Sequence, residues 1–538
     1  MLERLRHLPG WLRVVGGAAS GALTGLAFAP VNWWPMAFVG VAGLTFFVSG
    51  LPRLRLAALV GFGYGLVLLV STIVWMTVIA PEAAIALLGF QSLWYGLLGL
   101  LLAWATRTRW APVLVPGCWL MVEFLFGHVP FGGFPWLRLG YTQVDGPFAG
   151  LLPFVGTPGV SFAIAFVGGW LASLVTGGAS RRMTLGVGIT CFALVGVGLS
   201  AMNLVRPRTD LPETLSVGYV QGNAPGGGIY GIGGPRTTTY NHLKETRVLM
   251  DKVAAGQVPQ PDFVVWPENG TDMDPTTDTL TDQALKDAVA ATKAPLFAGI
   301  MGVNEASYTR RTIARWINAD GSLGDGYEKR NMVPFGEWVP FRNILEPLFP
   351  MLSYVGEQGI PGSEPGVVTG VLNDGTSVQV GVGVCYDVAF DTTMYDTVTR
   401  GGQVVIVQSS NAMYMGTSQI VQQFAISRVR AVELQREILV VTTSGISGLI
   451  RPDGSVAVYV GEHVAASGVV PLPLRDNITP ATWLSPLFDG VASGATGLAV
   501  LAAAALSFRS GRRGRRVNAA GSSGDNASQH SLPERDRP

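Results

Sequence analysis

Residues 380–387 read Val-Gly-Val-Gly-Val-Cys-Tyr-Asp, an apolar run that ends in a thiol and a carboxylate. Short continuous apolar runs rich in β-branched residues are typical of strands that are buried on both faces. Residues 263–269 have the same form, because Phe-Val-Val-Trp-Pro is followed there by Glu-Asn. Each run therefore predicts a strand with a reactive side chain at its end, Cys385 in one and Glu268 in the other.

A lysine lies between these two runs in the chain. Lys329 precedes a proline-containing segment, 333–337, which reads Val-Pro-Phe-Gly-Glu. Taken singly, a buried cysteine, a solvated lysine and a glutamate in a turn each have an ordinary structural explanation. Together they supply the nucleophile, the cation and the base that thioester chemistry requires. We therefore expect Cys385, Lys329 and Glu268 to form one catalytic site.

The region around these residues has the pattern of a layered α/β domain. Apolar β-rich runs alternate with turn clusters and helical stretches between residues 210 and 485. The predicted strands are 215–220, 262–266, 296–300, 313–317, 378–384, 404–408 and 438–443. The predicted helices are about 237–255, 279–292 and 417–436. This interleaving predicts a single α/β domain that contains both reactive strand ends.

The rest of the chain has the composition of a membrane protein. Of all residues, 48% are hydrophobic and only 14% are charged, against about 25% charged in soluble proteins. A membrane helix needs about 20 predominantly apolar residues. Predominantly apolar runs of this kind occur at about 12–29, 35–50, 56–80, 83–106, 111–127, 153–176, 183–202 and 490–508. We therefore expect about eight transmembrane helices, seven before the α/β domain and one after it.

Arginines predict how these helices are oriented. With the N-terminus in the cytoplasm, every cytoplasmic break carries at least two arginines, as the positive-inside rule requires. These residues are Arg4, Arg6 and Arg13; Arg53 and Arg55; Arg107 and Arg109; Arg181 and Arg182; and Arg509, Arg512, Arg513, Arg515 and Arg516. An odd number of preceding helices then places the α/β domain on the extracytoplasmic side. The predicted domains are 1–209 with seven helices, 210–485 with the catalytic site, 486–508 with the eighth helix, and a disordered Arg-rich cytoplasmic tail at 509–538.

An alternative for the first helix stays open. Residues 27–29 read Ala-Phe-Ala after an apolar run, so 4–29 could instead be a cleaved signal peptide. The net charge of +1 argues against a nucleic-acid partner. Five histidines that lie far apart in sequence make a His-rich metal site improbable, and Cys118 and Cys191 lie inside apolar runs, which excludes a disulfide framework.

The expected catalytic residues resemble those of the nitrilase superfamily, whose Glu-Lys-Cys triad lies on an αββα sandwich. Because membrane helices flank the domain, the resemblance narrows to the apolipoprotein N-acyltransferases and covers the chain up to about residue 508. The motifs that carry it are Trp-Pro-Glu at 266–268, the 333–337 segment, Cys385 with Tyr386, Gly-Phe-Pro-Trp-Leu at 133–137 with Gly140 and Tyr141, and Arg430-Ala431 with Glu433.

The resemblance implies a multi-pass protein of the bacterial cytoplasmic (inner) membrane that moves an acyl chain from a phospholipid to the N-terminal diacylglyceryl cysteine of a lipoprotein. It implies a ping-pong reaction through a thioester on Cys385, with Glu268 as general base and Lys329 as oxyanion donor, and without a cofactor or metal. The expected supporting residues are Glu337 and Asp387, which are expected to hold Lys329 or Glu268 in position, and Tyr386, which is expected to line the acyl pocket. The expected substrate-contacting residues are Phe349, Met351 and Tyr354 in an apolar segment that predicts a lid, together with Tyr230 and Trp136.

The sequence departs from the family pattern in its substrate loops. Asp387 stands where relatives usually carry Glu, and 411–414 reads Asn-Ala-Met-Tyr in place of Asn-Asp-Ala-Trp.

Two other functions stay open. A membrane-tethered amidase would use the same triad with water as the acceptor. A non-catalytic scaffold would hold a polyprenyl-phosphate mannosyltransferase, which is also the one protein partner expected beside the phospholipid, the apolipoprotein and the bilayer.

Overall fold

Helices occupy all eight segments for which the sequence predicts membrane helices. The computed structural model describes residues 8–51, 53–78, 81–177, 180–204, 213–228, 231 and 233–524. The helices are α1 (Gly10–Gly25), α2 (Pro35–Val48), α3 (Leu54–Ile73, continued by a 3₁₀ turn to Val78), α4 (Pro81–Ala105), α5 (Ala111–His128), α6 (Leu152–Thr176), α7 (Arg181–Leu204) and, after the α/β domain, α13 (Ala481–Gly524).

Six of these helices, within the described residues, are long and apolar enough to cross a membrane: α3 to α7 and α13. The other two, α1 and α2, have 16 and 14 residues. A 14-residue helix rises about 21 Å, which is less than the roughly 30 Å of a bilayer core. Helix α3 starts on the same side of the membrane whether α1 and α2 both cross the bilayer or both turn back within it. The predicted orientation therefore does not depend on the lengths of α1 and α2.

The last helix differs from the prediction at both ends. It begins at Ala481, five residues before the predicted boundary at 486, and its backbone continues to Gly524, whereas we predicted a disordered tail from 509. Arginine and alanine are strong helix formers, and no proline follows Pro486 within the helix to stop it. The remaining residues of the predicted disordered tail, 525–538, lie outside the described part of the chain.

Glycines allow two of the membrane helices to approach very closely. A Cβ atom at Gly61 in α3 would lie 2.1 Å from the Tyr95 carbonyl oxygen in α4, and one at Gly99 in α4 would lie 2.3 Å from the Ala57 carbonyl oxygen in α3. Small residues at such a crossing let the two backbones touch, which is how helices associate where lipid removes the hydrophobic driving force.

The α/β domain consists of two sheets that are flanked by helices. Its elements are β1 (Thr214–Gln221), α8 (Thr237–Ala254), β2 (Phe263–Val265), α9 (Thr279–Thr292), β3 (Leu296–Asn304), β4 (Thr309–Ile317), β5 (Leu323–Glu328), α10 (Arg342–Leu348), β6 (Gln358–Gly359), β7 (Val367–Val371), β8 (Ser377–Val384), α11 (Asp391–Thr399), β9 (Val404–Ser409), α12 (Ser418–Leu434), β10 (Ile438–Thr442), β11 (Ser447–Ile450), β12 (Val456–Val460) and β13 (Ala466–Pro473). One sheet has the order β13-β1-β2-β3-β4-β5, with β6 beside β4, and the other has the order β12-β11-β10-β9-β8-β7.

The sheets pack face to face, and strand β9 shows how. Val404 and Ile406 belong to the apolar core between the sheets. Val405 and Val407 point the other way, into a core with α11 and α12 that continues into the membrane helices. Alternate side chains point to opposite faces of a strand, so a strand that is apolar throughout must be covered on both faces. The result is the predicted αββα sandwich.

The predicted elements are all present, but the prediction missed β5 to β7, β11 to β13, α10 and α11. Strands β5, β7, β12 and β13 lie at the edges of the two sheets. Edge strands bury fewer side chains and tolerate glycine and charge. Strand β5 reads Leu-Gly-Asp-Gly-Tyr-Glu, which lacks the apolar pattern on which the prediction depended.

A buried ionic cluster joins the α/β domain to the membrane helices. Arg138, in the loop between α5 and α6, lies 3.2 Å from Asp391 and 3.0 Å from Asp489 of α13. Arg430 of α12 lies 2.6 Å from the other oxygen of Asp391 and pairs with Glu433. Removing one member of such a buried set leaves an uncompensated charge, so these contacts fix how the two parts dock.

We predict that Gly61→Ala destabilises the membrane part, because the added methyl group would overlap a backbone carbonyl of α4. Overpacking of this kind costs about 1–3 kcal/mol. The measurement is thermal unfolding of the purified protein in detergent. The matched control is Gly89→Ala on α4, where an added Cβ meets no atom within 4 Å. Equal melting temperatures for the two variants would contradict the close approach.

Candidate active site

Glu268, Lys329 and Cys385 come together where strands of both sheets end. Glu268 follows β2 and Lys329 follows β5, both in the first sheet, whereas Cys385 follows β8 in the second. The Lys329 ammonium lies 3.1 Å from Glu268 Oε1. Cys385 interacts electrostatically with Glu268 and Lys329. The site therefore depends on the packing of one sheet against the other.

Lys329 is held between two carboxylates. Its Nζ atom lies 3.1 Å from Glu268 Oε1 and 2.7 Å from Glu337 Oε1, and the side chain is only 1% exposed. Burial by itself lowers the pKa of a lysine, but the negative charges of Glu268 and Glu337 outweigh it and raise the pKa of Lys329 well above its usual value. The ammonium therefore keeps its charge, and Glu337 is one of the two carboxylates beside it.

Backbone groups orient both carboxylates. The second oxygen of Glu268 accepts a hydrogen bond from the Ser410 amide at 2.9 Å. The second oxygen of Glu337 accepts one from the Val333 amide at 2.8 Å. Each carboxylate therefore has one oxygen on the lysine and one on the main chain. Such fixed acceptors do not have to reorganise when charge moves in the site.

Cys385 lies on a strained turn. Its φ is +51°, in the left-handed region, at the point where β8 gives way to a 3₁₀ helix. Side chains rarely adopt this conformation, and it is commonest where a turn presents a functional group. Burial raises the pKa of the Cys385 thiol, and the Glu268 charge raises it further, against the opposing effect of Lys329. The thiol is therefore protonated at rest and needs a base to react.

Asp387 braces the turn that carries Cys385. Its Oδ2 accepts hydrogen bonds from the Tyr327 hydroxyl at 2.9 Å and from the Val384 amide at 3.1 Å. Its Oδ1 accepts from the Asn331 amide and side chain, at 3.0 and 2.8 Å. The sequence analysis expected Asp387 to hold Lys329 or Glu268. The structure instead ties it to the residues on either side of Lys329.

Tyr386 connects the turn that carries Cys385 to the membrane part. Its hydroxyl donates to the Gly133 carbonyl at 3.1 Å. Its ring stacks on Trp136, with centroids 6.1 Å apart and planes at 26°. Further ring contacts extend this group, which we call the aromatic wall; its members are Trp75, Phe134, Trp136, Tyr386 and Tyr414. The predicted residues Trp136 and Tyr386 thus pack against each other beside Cys385.

The predicted lid is exposed. Phe349 and Tyr354 are 55% and 65% exposed, and Leu348 in α10 is 66% exposed. Met351 is partly buried, within a 3₁₀ helix that spans Pro350–Val355. These exposures are against burial of the segment under a neighbouring loop. Tyr230, the remaining predicted substrate residue, lies outside the described part of the chain.

Several residues that build the site were not predicted. Ser410 acts through its backbone amide, and Asn331 acts through its backbone amide and its side chain. Backbone amides carry no signal in a sequence. Tyr327 and Gln422 act through side chains. The signal for Gln422 was available, because 417–436 was predicted as a helix and contains three closely spaced glutamines among apolar residues. Their burial was not evident, since their partners lie far away in the chain.

Comparison with known families matches both parts of the chain. Residues 20–170 match the apolipoprotein N-acyltransferase N-terminal domain, and residues 234–467 match the carbon-nitrogen hydrolase domain. An apolipoprotein N-acyltransferase of Mycolicibacterium smegmatis is 33% identical over 505 residues, which cover 89% of this chain and 82% of that protein. The chain belongs to the apolipoprotein N-acyltransferase family. The resemblance on which the sequence analysis relied is thereby confirmed.

Other members of the apolipoprotein N-acyltransferase family are similar over the same extent. Those of Vibrio cholerae and Coxiella burnetii are 27% and 28% identical and cover 89% and 87% of this chain, and 93% and 94% of their own lengths. Among solved structures, an amidase from Nesterenkonia is similar at 18% identity with a TM-score of 0.35, covering 49% of this chain and 91% of the amidase. Nit3 of Saccharomyces cerevisiae is similar at 18% identity with a TM-score of 0.36, covering 52% of this chain and 95% of Nit3.

We predict that Lys329→Met slows the alkylation of Cys385 by a small neutral reagent such as iodoacetamide. The Lys329 charge lowers the pKa of the thiol, so its removal should leave less thiolate at every pH below that pKa. A rise of one pH unit in the pKa means about 10-fold less thiolate. The measurement is the alkylation rate between pH 7 and 9.5.

The matched control is Lys286→Met. Lys286 pairs with Asp282 on the surface of α9, and its side chain is 47% exposed. This variant should be alkylated at the wild-type rate. An unchanged rate in Lys329→Met as well would show that the lysine does not act on the thiol.

Proposed function

We propose that this protein transfers an acyl chain from a phospholipid to the α-amino group of the N-terminal diacylglyceryl cysteine of a lipoprotein, through a thioester on Cys385. Membership of the apolipoprotein N-acyltransferase family supports the reaction. The observation that carries the mechanism is the buried Lys329, which contacts two carboxylates beside a strained cysteine. This arrangement supports the assignment of Glu268 as the base, Lys329 as the fixed cation and Cys385 as the nucleophile.

In the first half-reaction, Cys385 attacks the ester carbonyl of the phospholipid. Glu268 accepts the thiol proton, because a thiol with a raised pKa is a poor nucleophile without a base. The oxyanion of the tetrahedral intermediate is stabilised by the Lys329 ammonium and by the backbone amide of Tyr386. The C–O bond then breaks, and Glu268 returns the proton to the departing lysophospholipid.

In the second half-reaction, the lipoprotein amine attacks the thioester. The amine must be neutral, and an α-amino group with a pKa of about 7.7–8.0 has a usable neutral fraction near pH 7. Glu268 takes one proton from the attacking nitrogen and returns it to the Cys385 sulfur as the C–S bond breaks. The amide product leaves, and the enzyme returns to its starting state. Two lipid substrates thus use one site in succession.

We assign the holding of the site to the supporting residues. Glu337 keeps Lys329 in place through the 2.7 Å contact. Asp387 keeps the nucleophile turn against the segment that carries Lys329. Tyr386 and Trp136 supply an apolar surface for the acyl chain beside the thiol. Tyr230 stays a prediction for substrate contact.

We further propose that the lid residues Leu348, Phe349, Met351 and Tyr354 meet the bilayer. A patch of apolar side chains that is exposed to water is unfavourable. The same side chains are stabilised when they insert into a bilayer. They belong to the domain whose catalytic site consumes a membrane lipid. A lid of this kind would give the phospholipid a path from the bilayer to Cys385 without exposure of its acyl chains to water.

The arginine pattern supports a location in the bacterial cytoplasmic membrane, with the catalytic domain on the extracytoplasmic face. Arginines cluster at each break between helices that is predicted to lie on the same side of the membrane as the N-terminus. We therefore propose a membrane part at 1–209, a catalytic domain at 210–480 and a returning helix that begins at Ala481. Association with a polyprenyl-phosphate mannosyltransferase stays a prediction.

We predict that incubation of the purified protein with a phospholipid adds one acyl chain to its mass, and that Cys385→Ala abolishes this adduct. The thioester requires the Cys385 sulfur, so the loss should be complete. Intact-protein mass spectrometry measures it. Cys118→Ala and Cys191→Ala are the controls, since both cysteines lie in membrane helices, and both should keep the adduct. An adduct that survives in Cys385→Ala would remove the thioester from the mechanism.

We predict that serine at Leu348 and Phe349 slows acylation by phospholipid vesicles but leaves iodoacetamide alkylation of Cys385 unchanged. Each exposed side chain contributes about 1.5–3 kcal/mol when it is buried in lipid, which corresponds to a rate loss of about 10-fold or more. Tyr459→Ser, at an equally exposed aromatic residue of β12, is the control. If the lid variants lose alkylation as well, the lid shapes the catalytic centre rather than lipid access.

A further inference from the structure

Gln422 lies on α12 of the catalytic domain and is buried against the membrane part. Its Oε1 atom accepts hydrogen bonds from the indole N–H groups of Trp75 at 3.0 Å and Trp136 at 2.9 Å. Its Nε2 group donates to the main-chain carbonyls of Ala29 at 3.1 Å and Thr72 at 2.7 Å. The whole capacity of a carboxamide, two donors and two accepting lone pairs, is thus in use.

The four partners belong to three separate segments of the membrane part. Ala29 follows α1, Thr72 and Trp75 lie at the end of α3, and Trp136 lies in the loop between α5 and α6. One side chain of the catalytic domain therefore fixes three membrane segments relative to α12. Neither carboxylate nor hydrocarbon can replace it, because only a carboxamide of this length both accepts twice and donates twice.

The next residue on α12 faces the catalytic centre. Gln423 accepts a hydrogen bond from Asn411 at 2.8 Å and donates to the Ser409 hydroxyl at 3.0 Å. Ser409 in turn interacts with the Cys385 thiol. Neighbouring residues on a helix point about 100° apart, so the first two turns of α12 contact the catalytic centre on one side and the two indoles on the other.

We propose that Gln422 is a positioning residue that holds the aromatic wall in register with Cys385 and so determines which acyl chains reach the thiol. Trp136 stacks on Tyr386, and Trp75 contacts both Trp136 and Tyr414. Gln422 anchors two of these five rings by their only polar atoms. This inference rests on the proposed function, because it assigns the wall to the acyl chain of the phospholipid donor.

A role in docking alone would have a different signature. If Gln422 merely held the two parts together, its loss would weaken every reaction at Cys385 to the same degree. If it sets the wall, its loss affects the part of the donor that is distant from the reacting carbonyl. A long acyl chain must lie along the wall, whereas a short one barely reaches it. The ratio of the two rates therefore separates the roles.

The test compares acyl-enzyme formation from dioleoyl and dihexanoyl phospholipids with the same head group, followed by intact mass. The variants are Gln422→Glu, which keeps both acceptors and loses both donors, and Gln422→Met, which loses all four hydrogen bonds. We expect the rate with the dioleoyl lipid to fall by about 10-fold or more in Gln422→Met. The dihexanoyl rate and alkylation by iodoacetamide should change by less than about twofold. Gln422→Glu, whose carboxylate faces the Ala29 and Thr72 carbonyl oxygens, should lose at least as much as Gln422→Met.

The matched control is Arg428→Gln on the same helix. Arg428 also joins α12 to the membrane-side loop, through contacts of 2.9 and 2.6 Å with Asp145, but this pair is at the surface and contacts no ring of the wall. Its chain-length ratio should equal that of the wild type. An equal loss with both lipids in the Gln422 variants, or no loss with either, would overturn the proposal.

A third variant covers the case in which the Gln422 variants do not fold. Trp75→Phe keeps an aromatic ring and removes only one donor to Gln422, so it should shift the same ratio in the same direction. An unchanged ratio in folded Trp75→Phe would overturn the proposal. The wild type separates this inference from the function on which it rests. If it forms no adduct with either phospholipid, the proposed function fails; if it does, only the role of Gln422 is at stake.

Discussion

A buried ammonium is the constraint on which the rest of this structure depends. Removing a lysine from water costs several kcal/mol unless opposite charges replace the lost hydration. Lys329 meets that condition with Glu268, which follows β2, and with Glu337, from the loop that follows β5. Each carboxylate is fixed in turn by a backbone amide. The strand order, the proline-containing loop and the face-to-face sheets are therefore all needed to keep one cation charged beside Cys385.

The sequence predicts well that Glu268, Lys329 and Cys385 come together, and it predicts the surroundings of this group poorly, for physical reasons. Glu268 and Cys385 are recognisable because an apolar run must stop where a polar group is presented, and the family resemblance then connects them with Lys329. Asp387 was expected to contact Lys329 or Glu268, yet a carboxylate so close to the turn finds nearer donors in Asn331 and Val384. Short-range geometry decides such partners, and residue type alone does not reveal it.

The junction between the membrane part and the catalytic domain was beyond sequence-based prediction. Gln422 and its partner Trp136 are separated by 286 residues, and Arg138 and Asp391 by 253. No periodicity connects positions so far apart. Composition shows only that glutamines and arginines occur in segments that are otherwise apolar. The membrane helices were predictable because each satisfies a local requirement, whereas the fit between the two parts is a property of the whole chain.

The pairing of Arg138 with Asp489 has a consequence for how the protein is made. The two residues are 351 positions apart in the chain. The Arg138 guanidinium is therefore synthesised long before the Asp489 carboxylate that pairs with it. Until then the whole α/β domain between them must be synthesised and the last helix must take its place beside the other membrane helices. A chain that ends before Asp489 leaves the Arg138 charge less fully compensated, because the Asp489 carboxylate is missing and Asp391 is still present. The finished fold therefore depends on a contact that only a chain translated past Asp489 can make.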